Sequence, residues 1–150
     1  MFDDENGNFA DPQKLPLFQK GKEIYELTHK IADLIEDDNE ILAHIKMMML
    51  EDAAMLTVKV IGAEGGDLYD IRMENATIIR KAARDLRTHC TSLEMYGFPA
   101  PQYLFLIREA LEDYRHLFIS WVKSFDPWNY IYDSWGLFNP PGIEEDPDRF

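Results

Sequence analysis

Apolar residues recur along most of this chain at the three- and four-residue spacing of α-helices. In the first such segment Ile24, Leu27 and Ile31 fall on one face, and clusters of Asp, Asn, Gly and Pro separate one segment from the next. The pattern predicts helices over about 17–37, 40–61, 67–95 and 101–125, with no competing alternation typical of strands. Four long helices joined by short linkers predict an all-α, up-down-up-down four-helix bundle.

The second predicted helix is apolar on nearly every side. Most of its positions are Ile, Leu, Met or Val, including the run Met47-Met48-Met49. A helix of this kind is covered on more than one side, so we expect a second subunit to cover part of it. Met48 and Met49 are therefore candidate interaction residues, with packing in the core as the alternative.

The fourth predicted helix carries an unbroken seven-residue rhythm from Leu104 to Phe125, which is typical of a bundle seam. Asp126-Pro127 ends it, and an irregular tail follows that is rich in aromatic residues: Trp128, Tyr130, Tyr132, Trp135 and Phe138. Aromatic side chains are favoured at protein interfaces, so we predict that the tail packs on its own chain or on a neighbour. The chain thus divides into a flexible acidic arm (1–16), a bundle (17–125) and an aromatic, then acidic, tail (126–150).

Charge and composition narrow the classes of function. The net charge is −13, which opposes non-specific binding to nucleic acid. The single cysteine, Cys90, excludes an intrachain disulfide. The start is acidic, where a signal peptide needs a basic start and an apolar run. The longest mostly apolar stretch, Ile41 to Ile61, carries too many charges to span a bilayer. We therefore expect a cytoplasmic protein with no membrane contact.

Three arginines form a basic stripe on the third helix: Arg80, Arg84 and Arg87. They could bind phosphates or an acidic partner surface. Pairing with acidic groups inside the protein or its assembly is the alternative. In so acidic a chain we favour that alternative over nucleic acid.

Arg84 and His89 also resemble the short Arg-polar-His motif of HEPN-type helical ribonucleases. The resemblance implies metal-free RNA cleavage, in which His89 would move the proton of the ribose 2′-hydroxyl and Arg84 would stabilise the phosphorane. The alternative is a surface arginine and a histidine at the edge of the core.

A di-metal carboxylate site is a third possibility, because such bundles use inward-pointing Glu-x-x-His pairs and single carboxylates. The candidate ligands are Glu26, His29, Glu51, Glu74, Asp113 and His116. The two pairs fall away from the apolar faces of their helices. We therefore predict no metal and no cofactor.

Three short stretches carry a family resemblance: residues 22–28, Ala63-Glu64-Gly65, and the segment from Asp85 to Gly97. Over residues 17–125 the chain resembles the four-helix-bundle proteins encoded by intervening sequences in bacterial ribosomal RNA genes. The resemblance implies a self-assembling bundle, with five copies in a barrel, and no catalytic residue. Our leading interpretation is a non-enzymatic, homo-oligomeric scaffold or protein-interaction module; the ribonuclease and the di-metal bundle are alternatives.

Overall fold

A computed structural model describes residues 11–146 and 148–149, and within them the protein has helices and no strand. The predicted all-α fold class is therefore confirmed. The helices are α1 (Pro16–Ala32), α2 (Glu40–Glu64), α3 (Tyr69–Met95) and α4 (Leu104–Lys123), with short 3-10 turns at Pro12–Lys14 and Pro101–Tyr103.

Each helix packs against the next in the chain, and α4 also packs against α1, so that the four surround one core. This is the arrangement of contacts in a four-helix bundle. The seam predicted on α4 lies in that core, where six of its seven residues are buried and Phe118 is half-buried. The alternating up-and-down direction of the helices stays a prediction.

Three helices meet at the Leu56 carbonyl of α2. A Cβ atom on Gly21 of α1 would lie 2.6 Å from this oxygen, so only glycine permits the close approach of the two backbones. From α4, the buried Tyr114 hydroxyl donates a hydrogen bond of 2.8 Å to the same oxygen. This cluster fixes the spacing of α1, α2 and α4.

The ends of the helices are set by the loops that join them. The first helix ends at Ala32 rather than near residue 37, because Ile35 reaches the core from the turn after the helix. Asn39 caps α2, and its side chain accepts a hydrogen bond of 3.1 Å from the Leu42 amide. Asp67 provides no such cap for α3 and pairs with Arg72 at 2.9 Å.

The sequence periodicity predicts one buried face on α3 with these members: Ile71, Ile78, Ile79, Ala82, Leu86, Cys90 and Leu93. Five of these seven residues are buried. Ile71 and Ile78 are exposed, and Ala76 is buried instead. Asn75, expected in the middle of the apolar face, is half-buried and donates to the Ile71 carbonyl at 2.9 Å.

The predicted acidic arm falls mostly on residues 1–10, which lie outside the described residues. Its remainder includes the 3-10 turn at Pro12–Lys14, and α1 begins within it at Pro16. Among the described residues, no helix combines the length and apolarity needed to cross a bilayer.

Candidate interaction surfaces

A groove of about 340 Å³ runs between α3 and α4. Apolar side chains form its floor: Ile79, Ala83, Leu111, Tyr114, Phe118 and Ile119. The rim carries Arg80, Arg84, Arg87 and Arg115, together with Glu112. The predicted basic stripe therefore lies along one wall of an apolar groove, which we call the arginine groove.

Of the four arginines at this rim, only Arg115 forms an ion pair with a carboxylate in the part of the chain that the structure describes. Arg115 binds Glu112 through hydrogen bonds of 2.6–3.1 Å, and these bonds lower the pKa of the Glu112 carboxyl. In contrast, no carboxylate of residues 11–146 or 148–149 lies within 4 Å of the guanidinium groups of Arg80, Arg84 and Arg87. The described residues thus provide no ion-pair partner for the stripe, while pairing within an assembly stays a prediction. The groove is a local cationic, apolar site on an acidic protein.

A second apolar surface lies on the solvent side of α2. Successive members of this outer seam are three or four residues apart: Met47, Leu50, Ala54, Val58 and Ile61. Val58 is 54% exposed and Met47 57% exposed, although the opposite face of the same helix is fully buried. The helix is therefore apolar on both sides, and its own bundle covers one of them.

The two candidate methionines on α2 differ in their positions. Met49 is 1% exposed and belongs to the core, so of the two interpretations, packing in the core holds for it and the interaction role does not. Met48 is half-buried and lines an open groove between α2 and α3 that also includes His44 and His89.

The first part of the tail is held on its own chain, at the start of α3. The Tyr69 amide donates to the Asn129 carbonyl at 2.9 Å, and the Asn129 side chain donates to the Asp67 carbonyl at 2.6 Å. Because Leu68 gives α3 no side-chain cap, the tail supplies an acceptor for one of the free amides at this helix terminus.

Further along the tail, Asp133 organises a tight turn over residues 133–139, which we call the Asp133 turn. Its carboxylate accepts hydrogen bonds of 2.9–3.0 Å from the amides of Trp135, Leu137 and Phe138. Those bonds, that of Phe138 first, lower the pKa of the Asp133 carboxyl. The Asn139 side chain closes the turn by pairing with the Asp133 backbone at 2.7 and 3.0 Å.

The tail aromatics divide into anchors and exposed residues. Tyr132 is buried, and Tyr130 and Phe138 are half-buried. Trp135 is 93% exposed and Trp128 is 62% exposed. Our expectation that the aromatic run packs is thus correct for three residues. It is wrong on this chain for the two tryptophans, because the Asp133 turn directs Trp135 outward.

The two residues of the ribonuclease motif face different neighbours. Arg84 lines the arginine groove beside α4. His89 lies instead against α2, where its Nδ1 is 3.0 Å from a carboxylate oxygen of Asp52. Burial raises the pKa of the Asp52 carboxyl, and the nearby His89 opposes that rise. The structure does not bring Arg84 and His89 to one site.

The candidate metal ligands lie at the surface. Glu26, His29, Glu51, Glu74, Asp113 and His116 are all exposed. His29 lies 3.4 Å from a carboxylate oxygen of Asp33, the residue after α1, and His116 lies 3.5 Å from one of Glu112 on α4. Among the described residues, no group of three or more His, Cys, Asp or Glu side chains is placed to hold a metal ion.

Cys90 is fully buried in the core. Desolvation raises the pKa of its thiol to about 11. The thiolate that reacts with electrophiles and binds metals is therefore scarce at neutral pH.

Two features of these surfaces were missed in the sequence. The Asp-Ser-Trp-Gly segment that begins at Asp133 has the composition of an Asx-type turn, and this signal could have identified the Asp133 turn. The groove floor offered no such signal, because it depends on which faces of α3 and α4 meet. Comparison of the chain with protein-family models, with curated proteins and with solved structures found no match.

Proposed function

We propose that this protein is a non-enzymatic, self-assembling helical scaffold that makes protein–protein contacts. The single observation that carries the proposal is the outer seam of α2. Its alternating three- and four-residue spacing is the one with which helices pack along each other at shallow angles. A polar helix face would suffice if this side of α2 only met water.

Small residues on the same side of α2 favour another helix as the covering element. Ala54 lies in the middle of the seam, and Gly65, the C-cap of α2, lies at its end. Such residues allow two helices to approach closely, while Met47 and Val58 supply apolar area to bury. The family resemblance of residues 17–125 favours five copies in a closed ring, with five times the 17.5 kDa mass of the chain.

The test is the mass of the protein in solution, measured by light scattering on the wild type and on Val58→Glu. The wild type is expected to be a discrete oligomer. Glutamate is a good helix former, and Val58 lies outside the hydrophobic core of its own bundle. The variant is therefore expected to keep its helical content and to lose the discrete oligomer that forms through the outer seam.

Phe105→Glu is the matched control, because Phe105 is 53% exposed on α4, outside the seam. It introduces the same charge at an equally exposed apolar position, so assembly is expected to persist. A wild-type protein that is monomeric at every concentration would refute the scaffold. If Val58→Glu assembles as the wild type does, the seam is not the contact.

A further inference from the structure

The tail and the arginine groove are complementary in chemistry. The Asp133 turn presents Trp135 and Leu137 to solvent, and both side chains are more than two-thirds exposed. An acidic group lies directly beside them, since a Cβ atom on Gly136 would be 3.2 Å from a carboxylate oxygen of Glu145. The tail thus carries an apolar pair next to negative charge, whereas the groove has an apolar floor next to positive charge.

The hydrogen bonds of the tail hold this combination in place. The Asp146 amide donates to the Tyr132 hydroxyl at 2.5 Å, which keeps the acidic segment against the start of the Asp133 turn. Arg149, a basic residue in the same segment, lies over the Tyr132 ring at 4.4 Å. An element ordered before binding loses less conformational entropy when it docks.

We infer that the tail of one copy docks into the arginine groove of a second copy. Trp135 and Leu137 cover the apolar floor, and Glu145 with the neighbouring Glu144 faces Arg80, Arg84 and Arg87. Trp and Arg are the residue types that most often dominate the binding energy of interfaces. Docking of this kind also supplies the carboxylate partners that the three arginines lack within the described part of their own chain.

The position of the tail favours a second copy over the tail's own groove. Asn129 holds the tail at the first residue of α3. Arg80, the first arginine of the basic stripe, is farther along that helix by roughly 16 Å at the rise of an α-helix. No described residue of the tail lines the groove of its own chain, and Trp135 is almost fully exposed to solvent.

This inference rests on the proposed function in so far as both require self-association, but it uses the tail and the groove and not the outer seam. The two are therefore tested separately. All proteins in the test are full-length and carry Val58→Glu, so that the seam makes no contribution. Arg84→Glu disables the groove and leaves the tail intact; Trp135→Ser disables the tail and leaves the groove intact.

The experiment measures sedimentation of each variant alone and of an equimolar mixture. The Val58→Glu protein is expected to associate as its concentration rises, and each double variant is expected to remain monomeric. Their mixture is expected to form a complex of twice the chain mass, because one intact groove then meets one intact tail. Both substituted residues are exposed, and circular dichroism checks that the helices are unchanged.

Two controls show whether the chosen residues are specific. Lys22→Glu changes the charge as Arg84→Glu does, on an exposed position of α1 outside the groove. Trp128→Ser removes an exposed tryptophan that lies outside the Asp133 turn. Both are expected to associate as the Val58→Glu protein does. The inference is overturned if the Val58→Glu protein does not associate or if the mixture of the two double variants stays monomeric. It is also overturned if Lys22→Glu abolishes association as Arg84→Glu does, or if Trp128→Ser abolishes it as Trp135→Ser does.

Discussion

At the scale of single residues, Tyr114 shows how one polar atom is accommodated in an apolar core. Its hydroxyl is buried among apolar side chains and has the Leu56 carbonyl as its acceptor. Burial raises the pKa of Tyr114 well above its usual range. The side chain therefore joins α4 to α2 only in its neutral form.

Tyr114→Phe is expected to lower the free energy of unfolding by about 1 kcal/mol, the net value of a typical buried hydrogen bond. Urea unfolding at neutral pH measures the change. Tyr25→Phe is the control, because Tyr25 is exposed on α1 and is expected to tolerate the change. Equal stabilities of the two variants would contradict the role assigned to the Tyr114 hydroxyl.

The same hydroxyl gives a pH dependence whose sign follows from the raised pKa. An unfolded tyrosine ionises near pH 10, whereas folded Tyr114 holds its proton to higher pH. The stability that the Tyr114 hydroxyl contributes is therefore complete below about pH 10, where an unfolded tyrosine is still neutral. This stability is lost as the pH rises from there through the higher pKa of the folded protein. The wild type is thus expected to lose stability at alkaline pH more steeply than Tyr114→Phe.

At the scale of structural elements, the Asp133 turn is the part of the tail whose order depends on one charge. Three backbone amides donate to the Asp133 carboxylate, and protonation would remove its capacity to accept them all. Because the pKa of Asp133 is lowered, the stabilisation is present above the pH at which an unfolded aspartate titrates. It is lost as the pH falls through the lower, folded value.

Asp133→Ala is expected to disorder residues 133–139 at neutral pH and to leave α1–α4 intact. NMR would detect this as faster amide exchange of Trp135, Leu137 and Phe138, with unchanged exchange in the helices. Ser134→Ala, a change inside the same turn, is the control, because no hydrogen bond of its side chain is found among the described residues. Unaltered exchange in Asp133→Ala would show that the turn does not depend on the carboxylate.

Elements differ in how well their sequence predicted them. The seam of α4 was predicted correctly because large side chains repeat every seven residues and all meet one core. The face of α3 was predicted correctly at five of its seven positions and wrongly at Ile71 and Ile78, because an exposed isoleucine gives the same signal as one in the core. The arginine groove could not be predicted, since local periodicity does not say which helices pack together or leave a gap.

At the scale of the whole molecule, the two contacts proposed here respond differently to salt. Docking of the tail pairs acidic with basic groups near the surface, and screening weakens such pairs as the Debye length falls from about 10 Å at 0.1 M salt to about 3 Å at 1 M. Contact through the outer seam is apolar and is weakened little by screening.

High salt is accordingly expected to dissociate the Val58→Glu protein and to leave assembly through the seam in place in Arg84→Glu. Sedimentation at low and high sodium chloride concentration distinguishes the two. Arg84→Glu serves as the control, because its outer seam is intact while its arginine groove no longer binds the tail. Salt-independent association of the Val58→Glu protein would contradict charge pairing at the groove.

The contact of Asn129 with the start of α3 has a consequence for synthesis of the chain. A ribosome completes all of α3 and α4 before it adds residue 129, so the first amides of α3 meet water for that interval. Ribosomes add about 5–20 residues per second. The roughly 60 residues between Tyr69 and Asn129 therefore correspond to several seconds of synthesis. The start of α3 therefore gains this hydrogen-bond acceptor only after all four helices have been synthesised.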